Sequence, residues 1–328
     1  MAFRALLTEK PADGAVRSSV QTLDEDRLPA GDVTVAVEWS GLNYKDGLCV
    51  LDKGRLVRAF PHVGGIDFAG IVTDSADPRY HVGDRVVLTG WRVGETHWGG
   101  FAERARVRAD WLVPLPEGLS TRQAMIFGTA GLAAAMAVER LEALGVQPDS
   151  GEIAVTGASG GVGSLALLLL AAAGFRAVAV TGRTDGADDL LRLGASRVAG
   201  RDEITGEPPK PLEAARWAGA IDNVGGETLG RLLRQLSPGG AVAAVGNASG
   251  IGFEGSVLPF LLRGVTLAGI DSVTHPYERR VASWQRIASA FDAGRLEPLV
   301  SEIGLDVVPE AAARILRGET RGRVLVRP

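Results

Sequence analysis

IAVTGASGGVGSLALLLLAAA, residues 153–173, opens with a short apolar run of strand character, turns through Gly157, Gly160, Gly161 and Gly163, and continues as an unbroken apolar segment of helix formers. Strand, tight turn and helix in that order let backbone pass close to a pyrophosphate. The first helical turn then offers free N–H groups and the positive end of its dipole to the phosphate charge. The glycine spacing is a close variant of the dinucleotide fingerprint, and a plain tight turn would use the same residues. A second strand at 177–180 follows directly and ends in Thr181, Gly182 and Arg183. A unit that prefers NAD places an acid there for the ribose hydroxyls. Here a hydroxyl and a guanidinium stand instead, and Arg183 can pair with a 2′-phosphate, which favours NADPH; the alternative is a solvated arginine. Asp185, two residues on, is the one feature that would restore an NAD preference.

Outward from this unit the chain falls into two styles. Residues 1–122 carry short, turn-punctuated runs rich in β-branched residues, at 33–39, 70–73, 85–88 and 102–107, as in an antiparallel, barrel-like β domain. From 123 the pattern turns helical, with Thr121 as the expected N-cap. Strands then alternate with helices, at 153–155, 177–180, 197–199, 220–222, 241–245 and 266–270, which predicts a doubly wound parallel sheet. A helix at 277–293 and short strands to the C-terminus rejoin the first domain. The expected division is thus 1–122 with 272–328, and 123–271, in an α/β chain.

The 328 residues, 46% of them hydrophobic, exceed what one core usually serves. A net charge of −4 with dispersed arginines gives no footprint for nucleic acid. Cys49 is the only cysteine, so no intramolecular disulfide or cysteine-based zinc site forms, as suits a reducing cytoplasm. The longest apolar candidate, the helix after Gly163, ends at Gly174, and no bilayer span is expected. His62, His81, His97 and His275 lie in turn-like surroundings without metal-ligand spacing and read as surface or loop residues, with His97 a candidate for the substrate site.

Segments along nearly the whole chain carry a family resemblance: GLNYKDGL (41–48), GIDFAG (65–70), LTGWRVGETHWGGFAE (88–103), GTAG (128–131), TGASGGVGS (156–164), TGR (181–183), AIDNVGG (220–226) and DSV (271–273). The chain resembles the medium-chain dehydrogenase/reductase superfamily, its zinc-independent quinone oxidoreductase branch, and within that the NADPH-dependent acrylyl-CoA reductases. The resemblance implies a GroES-like β-barrel catalytic domain, a Rossmann-type cofactor domain, a cytoplasmic homodimer, and a short-chain enoyl-CoA substrate. Zinc-dependent members use a cysteine, a His-Glu pair and a cysteine-lined lobe; the corresponding segments here carry Asp46, Ile66-Asp67 and no cysteine. Tyr44 is implied beside the nicotinamide, as hydrogen-bond or proton donor or as packing only. Asn43 would orient substrate or cap a turn. The cofactor would be held by Ser159, Gly160, Gly161, Val162, Thr181, Gly182, Arg183 and Arg201, with Asn247, Leu261 and Ser272 on the nicotinamide side. Arg323 would reach a phosphate of cofactor or CoA, or be a surface charge. Arg279, Arg280 and Arg286 flank Trp284 as a cationic helix face, solvated or turned to CoA phosphates. The rival functions are a quinone reductase and an NADPH-binding protein without turnover.

Overall fold

The computed structural model describes residues 1–328 except Asp13, Thr184 and Asp185, so Asp185 lies outside the described residues. The chain divides into two compact units. One comprises Met1–Leu132, Ser272–Ala288 and Leu299–Pro328, the other Ala133–Asp271 and Ser289–Pro298.

In the first unit the long strand Val33–Leu42 is central. It pairs antiparallel with Asp67–Ser75, with Arg104–Val107 and with the C-terminal strand Arg323–Arg327. Its β-branched valines at 33, 35 and 37 alternate inward, and Val33, Val35, Phe68, Val72, Val86, Leu88 and Leu112 close one core. A three-stranded sheet built on Ala2–Glu9 closes a second core around Phe3, Leu6, Leu7 and Phe101. The register Leu42↔Val324 and Gly41↔Leu325 brings Arg323 to the end of the central strand, where the helix Tyr44–Val50 begins.

The second unit is a six-stranded, all-parallel sheet. Its order is Arg197–Ala199, Arg176–Val180, Glu152–Thr156, Trp217–Asp222, Leu236–Ala244, Thr266–Gly269. This is the doubly wound order, with the first strand at the centre and the direction of winding reversed beside it. Such strands are covered on both faces, which is why Ile153, Ala154 and Val155 are all fully buried. The helix Gly161–Ala172 buries every residue from Gly163 to Leu170, which accounts for its uniformly apolar sequence.

Two local expectations change. The cap of the helix Thr121–Ala143 is Ser120: its N–H donates to Gln123 Oε1 at 2.8 Å, and its Oγ accepts the Gln123 N–H at 3.2 Å. Thr121 instead donates to Glu38 Oε2 at 2.5 Å. Among the described residues this helix alone is long and apolar enough to cross a membrane by length and composition. However, 83% of its apolar window is buried and it breaks at Gly128, whose φ and ψ are 52° and −147°, as in a core helix.

Candidate active site

The glycine turn has the form its sequence predicts. Gly157 adopts a φ of 59° and its carbonyl accepts the Gly160 N–H at 2.9 Å. A Cβ on Gly163 would lie 2.4 Å from Gly157 O and 2.7 Å from Ala158 Cα, so only glycine lets helix and turn approach this closely. Gly161 and Val162 begin the helix, where N–H groups lack intrahelical acceptors.

At the end of the next strand, Ser159 Oγ lies 3.3 Å from Thr181 Oγ1, which also accepts the Arg183 N–H at 3.1 Å. Thr181 is fixed by its own N–H, donated to Ala199 O at 3.0 Å. Arg201 folds its guanidinium across Gly182: a Cβ there would stand 2.6 Å from Arg201 Nε. Ser159, Thr181, Gly182, Arg183 and Arg201 therefore gather at one place, a hydroxyl-lined shelf with two guanidinium-bearing residues. These residues fit a dinucleotide whose adenosine carries an extra phosphate.

The neighbouring strand end, where the winding reverses, carries residues to which the sequence alone assigned no role. Buried Asp222 accepts from Thr156 Oγ1 at 2.5 Å and from the N–H groups of Gly225 and Val224. Burial raises its carboxyl pKa against the pull of those bonds. Asn223 donates its Nδ2 to Thr156 O at 2.8 Å, and its buried Oδ1 has no hydrogen-bond partner. An orphaned amide oxygen at this point of a doubly wound sheet is available to accept a hydrogen bond from a ligand. Asn247 is exposed just beyond the adjacent strand, and Leu261 is 74% exposed on the short helix Leu258–Arg263.

In the first unit, Tyr44 opens the helix Tyr44–Val50 and is 47% exposed. Asn43 before it is buried. Its N–H donates to Asp46 Oδ2 at 2.8 Å, and its Nδ2 to Asp46 Oδ2 at 3.2 Å and Asp67 Oδ2 at 3.0 Å. Its Oδ1 accepts from Arg323 Nη1 at 3.1 Å. Both amide protons are committed, and Asn43 positions the start of the helix that presents Tyr44. Arg323, 3% exposed, also donates Nε to Ile126 O at 2.8 Å, so it is a buried cation and not a surface charge.

Asp67 also accepts from Gly41 N at 3.0 Å and Thr129 N at 2.6 Å, while Asp46 Oδ1 accepts from Ile66 N at 2.8 Å. Burial, and secondarily the Asp67 charge, push the Asp46 carboxyl up to about 7. Burial pulls the Arg323 guanidinium down, opposed by Asp67 and Asp46. Glycine is required at positions 41 and 128 because a Cβ at either would lie 2.7 Å from an Asp67 oxygen and within 3.0 Å of Arg323 Nη2. Two polar atoms remain without partners here, Arg323 Nη2 and Thr129 Oγ1.

Other residues singled out in the sequence settle differently; Ser272 uses its carbonyl on Arg280 at 3.1 Å. Arg280 itself is fully buried, donating to Thr89 and lying 5.0 Å over the Trp91 ring, so it belongs to no solvated face. His97 shares a 2.8 Å hydrogen bond with Arg106 O and meets the Trp111 ring edge-on, two contacts that hold its imidazole in place. His62 is buried in a strand, not on the surface.

A two-part chain of this construction has the architecture of the nicotinamide-dependent dehydrogenases. The Alcohol dehydrogenase GroES-like domain family matches residues 29–117 and the Zinc-binding dehydrogenase family residues 161–289. The Acrylyl-CoA reductase AcuI of Ruegeria pomeroyi is 53% identical over 99% of this chain and 98% of its own length. The crystal structure of Escherichia coli YhdH with bound NADPH is 52% identical, covering 98% of this chain and 99% of that one, with a TM-score of 0.94. That of Bacillus subtilis yhfP with NAD bound is 43% identical over the whole of both chains, with a TM-score of 0.96. The chain belongs to the medium-chain dehydrogenase/reductase superfamily, in its acrylyl-CoA reductase group.

The second family's name implies zinc, and the residues do not fit it. Among the described residues no three His, Cys, Asp or Glu side chains gather as ligands would. The two acids of the site, Asp46 and Asp67, are already committed to backbone N–H groups and Asn43, with the Arg323 cation beside them.

Proposed function

We propose that this chain reduces the carbon–carbon double bond of acryloyl-CoA to propanoyl-CoA with NADPH and without a metal. The observation that carries the reading is the end-to-end likeness to an acrylyl-CoA reductase, joined to a glycine turn of dinucleotide form with Arg183 and Arg201 gathered beside Thr181 and Gly182. NADPH, when bound, supplies the hydride. The turn at Ser159, Gly160, Gly161 and Val162 would hold the pyrophosphate, and Thr181, Gly182, Arg183 and Arg201 the 2′-phosphate. Asn223, through its unpaired Oδ1, would meet the nicotinamide amide.

Conjugation to the thioester already makes the β-carbon electrophilic, so the protein has to orient the acyl group, steady charge on the thioester oxygen and allow a proton to reach the α-carbon. The exposed Tyr44 phenol is the donor proposed for that oxygen or carbon. The buried Asn43, Asp46, Asp67 and Arg323 network fixes the helix start that carries it. Asp46, titrating near neutrality, can hold a proton within this network. Ser272 has its backbone held by Arg280, and Asn247 and Leu261 stay nicotinamide-side proposals.

Mixing the protein with NADPH and following its absorbance with acryloyl-CoA and, separately, with a simple quinone tests the reading. Faster turnover of the quinone would replace it with a quinone reductase, and no turnover with either would leave a binding protein.

A homodimer is part of the proposal. Six exposed large apolar side chains, Ile251, Phe253, Val257, Phe260, Leu261 and Leu262, crowd the segment before the edge strand Thr266–Gly269. Sedimentation should show a dimer that Val257→Asp with Leu262→Asp dissociates. A cytoplasmic location accords with the single, buried, unpaired Cys49.

A further inference from the structure

Within the first unit a cavity of about 570 Å³ is lined by Arg58, Ala59, Pro61, His62, Arg92, Glu95, Thr96 and Trp98. That volume suits a mononucleotide. Its chemistry is cationic and aromatic. The guanidinium groups of Arg58 and Arg92 have no hydrogen bond or ion pair among the described residues, and both residues are exposed. The acid in the wall does not offset them, because Glu95 Oε1 is already paired with Lys45 Nζ at 3.1 Å. Trp98 is pinned by its Nε1, which donates to Pro61 O at 3.3 Å, leaving an indole fixed in the wall. His62, 4% exposed, hydrogen-bonds the Gly94 backbone, and its Nε2 has no partner.

The backbone is built to aim Arg92. Trp91 and Arg92 have φ of 57° and 59°, a left-handed conformation that bulky residues rarely take. Such strain persists where surroundings enforce it. Here Arg280 lies over the Trp91 ring, the Trp91 N–H donates to Val273 O at 3.0 Å, and the Arg92 carbonyl accepts the Glu95 and Thr96 N–H groups at 3.1 and 2.9 Å. The Lys45–Glu95 pair also ties the wall to the residue that follows Tyr44.

We infer that this pocket binds the phosphorylated adenosine end of acyl-CoA, with phosphates on Arg58 and Arg92, the adenine against Trp98, and a hydroxyl or amine of the ligand on His62 Nε2. The inference rests on the acyl-CoA reading above and adds the site that anchors the substrate's tail.

The test uses the full chain saturated with NADPH, so that the cofactor's own phosphate site is filled. In the first arm, kcat/KM is measured for acryloyl-CoA and for acryloyl-pantetheine, which lacks the phosphates and the nucleoside. In Arg58→Ala with Arg92→Ala the ratio of the two should fall by about tenfold to a hundredfold, because charge-assisted contacts to phosphate are lost. A ratio within about twofold of the unsubstituted protein overturns the site. In the second arm, calorimetry with adenosine 3′,5′-bisphosphate reads binding without turnover. Binding by the unsubstituted protein that the double variant and Trp98→Ala lose supports the pocket; absence of binding, or equal binding by all three, overturns it. Since the second arm needs no reduction of acryloyl-CoA, a failed reductase reading and a failed pocket are told apart.

Discussion

Replacing Arg183 and Arg201 tests the cofactor shelf most sharply. The Thr181 N–H bond to Ala199 O and the Arg183 N–H bond to Thr181 Oγ1 fix the backbone that presents Arg183, while Arg201 lies across Gly182 from the following strand end. A charge-assisted hydrogen bond contributes about 1.5–3 kcal/mol, or roughly tenfold to 150-fold in Kd. Solvent and salt screen the exposed Arg201, so about tenfold per arginine at ordinary ionic strength is the working figure. Because both groups serve one phosphate, the double variant should lose less than the product of the single losses. NADH lacks that phosphate and should lose less than about threefold. Gly182→Ala adds a structural arm: its methyl would meet Arg201 Nε at 2.6 Å and push the guanidinium aside, weakening NADPH while keeping both charges. Fluorescence titration with each cofactor gives the constants. Equal losses for NADPH and NADH, or none for either, would refute the assignment.

Three other outcomes follow from the geometry. Gly163→Ala drives a Cβ to 2.4 Å from Gly157 O and should lower the melting temperature by about 5 °C and weaken NADPH; unchanged melting would contradict the close approach. Asp46 has a folded pKa raised from 3.8 to about 7, so folding favours its protonated form. That contribution to stability is full below the unfolded pKa and disappears as pH rises toward 7. Carbon-13 titration of its carboxyl should show the midpoint near 7 and a lower one in Asp67→Asn, and a carboxyl ionised by about pH 5 in the unsubstituted protein would negate the charge coupling. Tyr44→Phe should reduce kcat on acryloyl-CoA by about a hundredfold or more while leaving NADPH affinity alone. A fall of less than about fivefold returns Tyr44 to packing.

Periodicity and glycines made the parallel sheet and its cofactor turn legible, because every local choice from Ile153 to Arg183 agrees with one supersecondary unit. The first unit was less readable. Arg323 looked like a free cation since nothing local marks a residue paired across about 280 positions with Asn43, and burial is a property of the assembled sheet. Arg280 hid for the same reason, its partners being Thr89 and the carbonyls of Ser272 and His275. His62 carried no signal because its isolation arises only once its strand pairs with Ala2–Glu9. The Ser120 cap was visible as Ser-x-x-Gln and was displaced by the more prominent threonine beside it.

The path of the hydride decides the account. With NADPH deuterated at the transferred position and chelator-treated protein, the product should be propanoyl-CoA carrying one deuterium at the β-carbon, at a rate unaffected by removal of metal. Deuterium at the α-carbon, a rate that returns only with added zinc, or loss of label to a quinone in preference to acryloyl-CoA would contradict it.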